Sequence, residues 1–350
     1  MKTLKKINII YICISEKGPS GGGKIIYNHS EVISNLKNTF TSQILHIKKK
    51  KLKKLSGSIK KIFKSNKPKY TGWNVKDIKV NQNYKSEWFN NNVSIKNDFE
   101  FDPKKDFVIV PEIFSHFANE LLIKKKIPYA IFAQNGYTLK TTNDYKTLNT
   151  VYKKAKFILS YSKDITNCVL LAFPFCSKKI QEISYSINEN DFDLSKSKKN
   201  LITYMPRKLS DHAEQLLFFL KNNLPKNWKI ESIHNMKQKD VYRHLVQSKI
   251  FLSFSRLEGL PLPPVEAAIA KNKVIGYTGE GGKQYWKEPV FTEIPNGDFS
   301  KFTTKILENI RNEKKGKKFN LVRKKIIKDF SINREIKNIK LMLKKISNYY

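Results

Sequence analysis

The sequence is short of four things, and each shortage excludes something. Only three of its 350 residues are cysteine (Cys13, Cys168 and Cys176), and they fall at no metal-ligand spacing. They offer no disulfide framework and no zinc site, so reduced thiols in a cytoplasmic protein are the expectation. Long apolar runs are also missing, the longest being the nine residues from Cys168 to Cys176. A membrane-spanning helix needs about 20, so none is expected. Lysines before an apolar run at the N-terminus, MKTLKKINIIYICISEKG, imitate a signal peptide. A Gly-rich turn follows rather than a small-residue cleavage site, which makes the run a buried first strand. Arginine is scarce, with 6 of the 67 basic residues, and acids number only 30, leaving a net charge of +37. Such a charge first suggests nucleic acid. Readers of phosphates and bases favour the planar fork of Arg, however, so no specific nucleic-acid partner is expected.

The lysines are unevenly spread. Lys48 to Lys69 holds 11 Lys and no acid, and Arg311 to Lys345 holds 14 basic and 3 acidic residues. These runs are either solvated faces or surfaces attracted to an anionic membrane or an acidic lipid-linked substrate.

What is present is enough apolar residue, 40%, to exclude wholesale disorder. The length predicts two domains of roughly 150–200 residues. Short β-rich runs alternate with amphipathic helical segments, the pattern of an α/β protein with parallel sheets. In the first half, strands are expected at Ile7–Ile14, Gln43–Ile47, Phe107–Val110, Tyr129–Ala133, Phe157–Ser160 and Ile180–Ser184, with helices at Lys24–Leu36 and Ser115–Ile123. A polar stretch, Asn188 to Asn200, interrupts the alternation, which restarts at Leu201–Met205. The expected division is therefore 1–190, with a basic insertion at about 48–105, and 200–350 with terminal basic helices. Each half reads as a doubly wound Rossmann-like sheet. Ligands of such sheets sit off the strands' carboxyl ends, which places the expected site in a cleft between facing halves.

The most informative stretch is SRLEGLPLPPVEAAIA, Ser255 to Ala270. It follows the apolar strand Ile250–Phe254. Pro263 and Pro264 suit a helix start, so Glu266 is expected in the first helical turn and Glu258 in the loop before it. Free N–H groups at that helix start could hold phosphate, with a carboxylate just beyond to accept sugar or ribose hydroxyls. Glu266 complementing the helix dipole is the plainer alternative. Further along, Gly279, Gly281 and Gly282 with Lys283 form a Gly-rich turn after the strand Lys273–Tyr277. In the first half, Gly18-Pro-Ser-Gly21-Gly22-Gly23-Lys24 lies between strand and helix but is neither a Walker A loop nor a dinucleotide fingerprint.

The stretch from Ser255 to Trp286, and more loosely from Leu201, resembles the donor-site signature of retaining GT-B glycosyltransferases, in particular glycosyltransferase family 4. That family carries two Glu separated by seven residues, as Glu258 and Glu266 are here. The resemblance implies a GT-B fold and transfer of a sugar from a nucleotide-diphosphate donor to a glycan or lipid-linked acceptor, with retention. Cell-surface polysaccharide synthesis is the expected setting. Glu258 would face the donor sugar and Glu266 the ribose, with Gly259, Leu260, Pro261, Gly281 and Gly282 around the donor. Arg207 and Lys208, adjacent here where many relatives space them, would neutralise the diphosphate. Gly21, Gly22, Gly23, Asn135 and Glu112 would line the cleft from the first half, and His116 is the nearest candidate for the family's first-half His. No bound cofactor or metal and no DxD acidic triplet is implied. A nucleotide-sugar epimerase on the same fold, or a non-catalytic basic protein binding polyanions or a membrane, are the alternatives. The expected location is the cytoplasm, with the basic surface available to the inner face of the membrane.

Overall fold

The computed structural model describes residues 6–15, 18, 20–36, 39–50, 73–87, 89, 92–312 and 316–350. Most of the lysine run 48–69 lies outside these residues. The chain divides into two compact units. The first comprises Met1–Tyr161, Ile165–Ile183 and Asn338–Tyr350, and the second Ser162–Asp164 and Ser184–Lys337.

The first unit is built on β1 (Ile7–Ile14), α1 (Gly21–Asn35), β2 (Phe40–Lys49), β3 (Ile78–Val80), β4 (Ser94–Lys96), β5 (Asp106–Pro111), β6 (Tyr129–Ala133), α2 (Tyr145–Lys154), β7 (Ile158–Ser160), α3 (Lys163–Ala172) and β8 (Ile180–Glu182). Its sheet runs β3-β2-β1-β5-β6-β7-β8, with β4 also paired to β2. All pairs are parallel except β2–β3. Central strands covered on both faces need near-continuous apolar runs, with any polar residue paired, as Asn8 of β1 donates to Asp106 of β5 at 3.2 Å. INIIYICI in β1 and DFVIVP in β5 meet that demand, and every residue of β5 is buried.

Three helical features depart from expectation. The Gly triplet is not a loop, because Ser20 caps α1 by accepting the Gly23 N–H at 3.1 Å, and the helix opens at Gly21. The segment expected as one helix over Ser115–Ile123 splits into a 3₁₀ turn, Glu112–Phe117, and a π-helical turn, Asn119–Ile123. Helices α2 and α3 fill the interval between β6 and β8, where only strands were expected.

The second unit contains β9 (Leu201–Tyr204), α4 (Ser210–Leu220), β10 (Lys229–Ser232), α5 (Gln238–Gln247), β11 (Ile250–Glu258), α6 (Leu262–Ile269), β12 (Lys273–Glu280), β13 (Phe291–Glu293), α7 (Phe299–Arg311), α8 (Lys317–Asp329) and the start of α9 (Ile332–Ser347). Its five strands are all parallel, in the order β10-β9-β11-β12-β13. This is a doubly wound order with a switch point between β9 and β11. In the first unit the corresponding reversal lies between β1 and β5. Ligands of open α/β sheets bind outside the carboxyl ends of strands at such points.

Candidate functional site

In the second unit the sequence motif falls on the switch point. Arg207 and Lys208 follow the carboxyl end of β9, and Glu258 ends β11, its neighbour in the sheet. Lys208 Nζ lies 3.6 Å from Glu258 Oε1, with the side chains 40% and 20% exposed. An ion pair so open to solvent adds little stability. Its consequence is local: a cation and a carboxylate face each other above two neighbouring strand ends. Arg207 is exposed and makes no ion pair or hydrogen bond among the described residues. Arg256, also exposed, adds a third cation on β11 that the sequence motif did not single out.

The backbone around Glu258 is irregular. The β11–β12 register shifts between Ser255 and Glu258, so that Glu258 pairs with Glu280. Leu257 and Glu280 take φ of 48° and 69°. Non-glycine residues rarely adopt such angles, and they persist where the surrounding structure holds them. What holds them is a close backbone approach. A Cβ on Gly281 would lie 1.8 Å from the Gly259 carbonyl oxygen and 2.6 Å from that of Glu258. Gly282 is looser, its nearest neighbours being Pro261 Cγ and the Tyr285 hydroxyl, both at 3.2 Å. The buried Tyr285 donates its hydroxyl to the Pro261 carbonyl at 2.6 Å and so ties the loop to the turn after β12. Burial raises the phenol's pKa, and the nearby Glu258 adds to the rise.

The helix α6 begins at Leu262, earlier than expected, because Pro263 and Pro264 fit within its first turn. Two corrections follow. Glu266 is the fifth helical residue, past the first turn. The start of α6 is also a poor N–H cradle. Among its cap and first three residues (Pro261, Leu262, Pro263 and Pro264), three are prolines and only Leu262 carries an N–H.

Glu266 is 8% exposed, and its Oε1 accepts the Tyr242 hydroxyl of α5 at 3.3 Å. Tyr242 is itself stacked on Phe192, with ring centroids 4.2 Å apart, and receives Gln238 Nε2 at 2.5 Å. The far end of α6 is anchored by polar groups. Lys198 Nζ donates to the Leu245, Ser248 and Ala270 carbonyls, placing one cation at the C-termini of both α5 and α6. Asn272 Nδ2 bonds the Leu245 and Ala267 carbonyls, and Arg323 Nε bonds the Ile269 carbonyl. Tyr242, Tyr285 and Lys198 have no motif spacing, so the sequence alone did not show them.

At the first unit's switch point, Glu112 directly follows β5 and is 2% exposed. Its carboxylate accepts the N–H of Gln134 at 2.8 Å, the N–H of Asn135 at 3.2 Å and the Thr138 hydroxyl at 2.7 Å. Burial nevertheless pushes its pKa up to about 7, against the downward pull of these bonds. The structure thus commits Glu112 to holding the loop after β6. Gln134 in turn donates to the Gly22 carbonyl at 3.1 Å, and a Cβ at Gly22 would meet the Gln134 carboxamide oxygen at 2.5 Å. The Tyr161 hydroxyl donates to the Gln134 carbonyl at 2.7 Å. Glu112, Asn135 and Gly22 are therefore one network at the carboxyl ends of this sheet, with Gly21 and Gly23 beside Gly22 in the first turn of α1. His116 is elsewhere engaged, its Nε2 lying 2.8 Å from the Trp73 carbonyl oxygen, and burial lowers its pKa.

No helix among the described residues is long and apolar enough to cross a membrane.

Neither a protein-family model nor a curated protein matches the sequence. Solved structures match it by fold. A glycosyltransferase from Rickettsia africae aligns with a TM-score of 0.66 over 99% of this chain and 100% of its own, at 13% identity. The Anabaena protein HepE, determined in complex with UDP, aligns with a TM-score of 0.62 over 98% and 100%, at 8% identity. TarM aligns with a TM-score of 0.51 over 71% of this chain, at 16% identity, and the match spans 55% of TarM's own length. With two mainly parallel α/β sheets, each reversing its strand order, and with these neighbours, the chain has the GT-B fold of glycosyltransferases.

Proposed function

We propose that the protein transfers a sugar from a nucleotide-diphosphate sugar to a glycan or lipid-linked acceptor. Family 4 chemistry with retention is the expected course, and cell-surface polysaccharide synthesis the expected setting. The observation that carries the reading is the meeting of Lys208 and Glu258 at the second sheet's switch point, with Glu266 eight residues on in a polar-anchored helix. The UDP bound to HepE shows what class of ligand a neighbour of this fold holds.

In the reaction, the bond from the anomeric carbon to the diphosphate oxygen breaks and a bond to the acceptor hydroxyl oxygen forms. The nucleoside diphosphate leaves with the bonding pair, and the acceptor's proton passes to the departing phosphate or to solvent. Arg207 and Lys208 supply fixed positive charge where negative charge develops. The proposal assigns no resident metal or organic cofactor, so turnover should survive a chelator. With the start of α6 depleted of N–H groups, phosphate rests more heavily on these two cations. The backbone of Gly259 and Leu260 and the turn at Gly281–Gly282 complete the donor side beside Pro261. Glu258 would accept sugar hydroxyls while Lys208 restrains it, and Glu266 would accept ribose hydroxyls. Gly21, Gly22, Gly23, Asn135 and Glu112 form the first unit's contribution, with Glu112 acting through the loop that it holds.

The test is a thermal-shift screen against UDP-, GDP-, ADP-, CMP- and dTDP-sugars. A ligand at 100 times its dissociation constant adds about 2.7 kcal/mol of stability, visible as a shift of several degrees. One nucleotide should stabilise the parent and not Glu266→Ala. Glu258→Ala should retain the shift and lower turnover. Parent-like behaviour of both variants would remove the site assignment.

A further inference from the structure

Glu280 stands where the backbone asks for glycine. It closes β12 at φ 69° and ψ −62°. A positive φ joined to a negative ψ lies outside the left-handed helical region, in the strained conformation of the γ-turn. The close approach of Gly281 to the Glu258 and Gly259 carbonyls fixes this angle, but it does not fix the residue type. Gly279 and Gly281 flank the position, and a third glycine between them would take the same angles at less cost.

The fold gains little from the glutamate. Its side chain does not cap the 3₁₀ turn that follows, Gly281–Gln284. Its carboxylate accepts Lys283 Nζ at 2.6 Å, and both side chains are about half exposed. An ion pair so open to solvent adds little stability, so it does not repay a strained backbone. Strain of this kind gathers at functional sites. The location of Glu280 says which function. It is the register partner of Glu258 across β11 and β12. A Cβ on the preceding Gly279 would lie 3.4 Å from Glu258 Cβ, so the turn is wrapped against the Glu258 loop. Two neighbouring strand ends thus each carry a carboxylate faced by a lysine, Glu258 by Lys208 and Glu280 by Lys283. Carboxylates repel a diphosphate, whereas their remaining lone pairs accept hydroxyl hydrogens. In a nucleotide sugar, the part that suits two adjacent carboxylates is the sugar. We propose that Glu280 is a second contact for the transferred sugar, accepting its hydroxyls beside Glu258, with Lys283 restraining the carboxylate. The inference rests on the reading of this site as the donor site and adds to it a residue that determines which sugar is held.

The experiment is calorimetric titration of the parent, Glu280→Gly and Glu280→Gln with free UDP, GDP, ADP and dTDP. The same proteins are titrated with UDP-glucose, UDP-N-acetylglucosamine, GDP-mannose, ADP-glucose and dTDP-glucose. The parent should bind one nucleotide, both free and joined to its sugar. Glu280→Gly should bind the free nucleotide as the parent does and the sugar conjugate about tenfold more weakly. Its melting temperature should match or exceed the parent's, because the strained angle then falls on glycine. Glu280→Gln still offers an accepting oxygen and should bind the conjugate within about threefold of the parent. Parent-like binding of the conjugate by Glu280→Gly overturns the proposal and leaves the donor-site reading standing. Equal weakening of free nucleotide and conjugate, or a lowered melting temperature, also overturns it, by making Glu280 a residue of the fold. A parent that binds none of these ligands removes the donor-site reading, and the proposal with it.

Discussion

Gly281 shows how a single residue type is imposed by backbone contact. Its missing Cβ is what lets the turn after β12 lie against the carbonyls of Glu258 and Gly259. These atoms are main chain and cannot rotate aside. Gly281→Ala must push the Glu258 loop away, and overpacking of this kind costs about 1–3 kcal/mol. Gly282→Ala meets only the ends of side chains, at 3.2 Å, and should cost less. Denaturant unfolding of the two variants checks the order, and a Gly281→Ala protein as stable as the parent would contradict the packing described. At this scale, Glu258, Glu266 and the glycines were legible, because a fixed interval and an unusual residue type both leave a mark in a sequence. Tyr242, Tyr285 and Lys198 were not. Each is an ordinary polar residue whose partner is distant in the chain, so its role exists only once the elements have packed.

At the scale of elements, the long parallel strands of both sheets were read closely, whereas the three-residue strands β3, β4 and β13 were not. Buried parallel strands need near-continuous apolar runs, and few other segments in so lysine-rich a chain have them. Element ends were less legible. The strand β11 continues four residues beyond Phe254 through Ser255, Arg256, Leu257 and Glu258, because β12 extends beside it and a register shift accommodates the polar residues. Likewise α1 takes in three glycines, since the Ser20 cap and the Gln134 contact outweigh their low helix propensity. The pairing of α5 with α6 carries a prediction. Tyr242→Phe removes the hydroxyl that Glu266 accepts while keeping the ring on Phe192. A hydrogen bond to a charged group contributes about 1.5–3 kcal/mol, and this one, at 3.3 Å, belongs at the low end. Unfolding free energy should fall by about 1.5 kcal/mol, and nucleotide affinity should weaken because Glu266 loses the bond that orients it, with kcat at saturating donor little changed. Titration of the variant with the nucleotide found in the thermal-shift screen measures this. A loss confined to kcat would place Tyr242 outside the donor site.

For the whole molecule, most of the lysines among the described residues are exposed, whereas two carboxyls that respond to pH near neutrality are buried. Glu112 in the first unit and Glu335 in the second are both pushed up to about 7 by burial. Glu335 has no exposed surface, and its carboxylate accepts the Ser186 N–H at 3.0 Å and the Ser186 hydroxyl. A carboxyl whose pKa is higher in the folded than in the unfolded chain binds more protons when folded, so its contribution is present at low pH and lost as pH rises through about 7. His46 acts in the opposite sense. Burial lowers its pKa to about 4, the unfolded chain binds the extra proton, and stability rises with pH up to the ordinary histidine value. The two effects oppose each other between about pH 4.5 and 6.5, and above that window the loss from the acids stands alone. Comparison of Glu335→Gln with the parent cancels the histidine and Glu112 contributions. The amide oxygen can still accept both Ser186 donors and carries no charge at any pH. The variant's advantage should be smallest near pH 5 and grow to as much as about 3 kcal/mol by pH 8, the free energy of moving a carboxyl's titration from its ordinary value to about 7. Thermal unfolding of both proteins across that range measures it. A difference that does not vary with pH would mean that Glu335 titrates at an ordinary carboxylate value, and that the Ser186 bonds offset its burial.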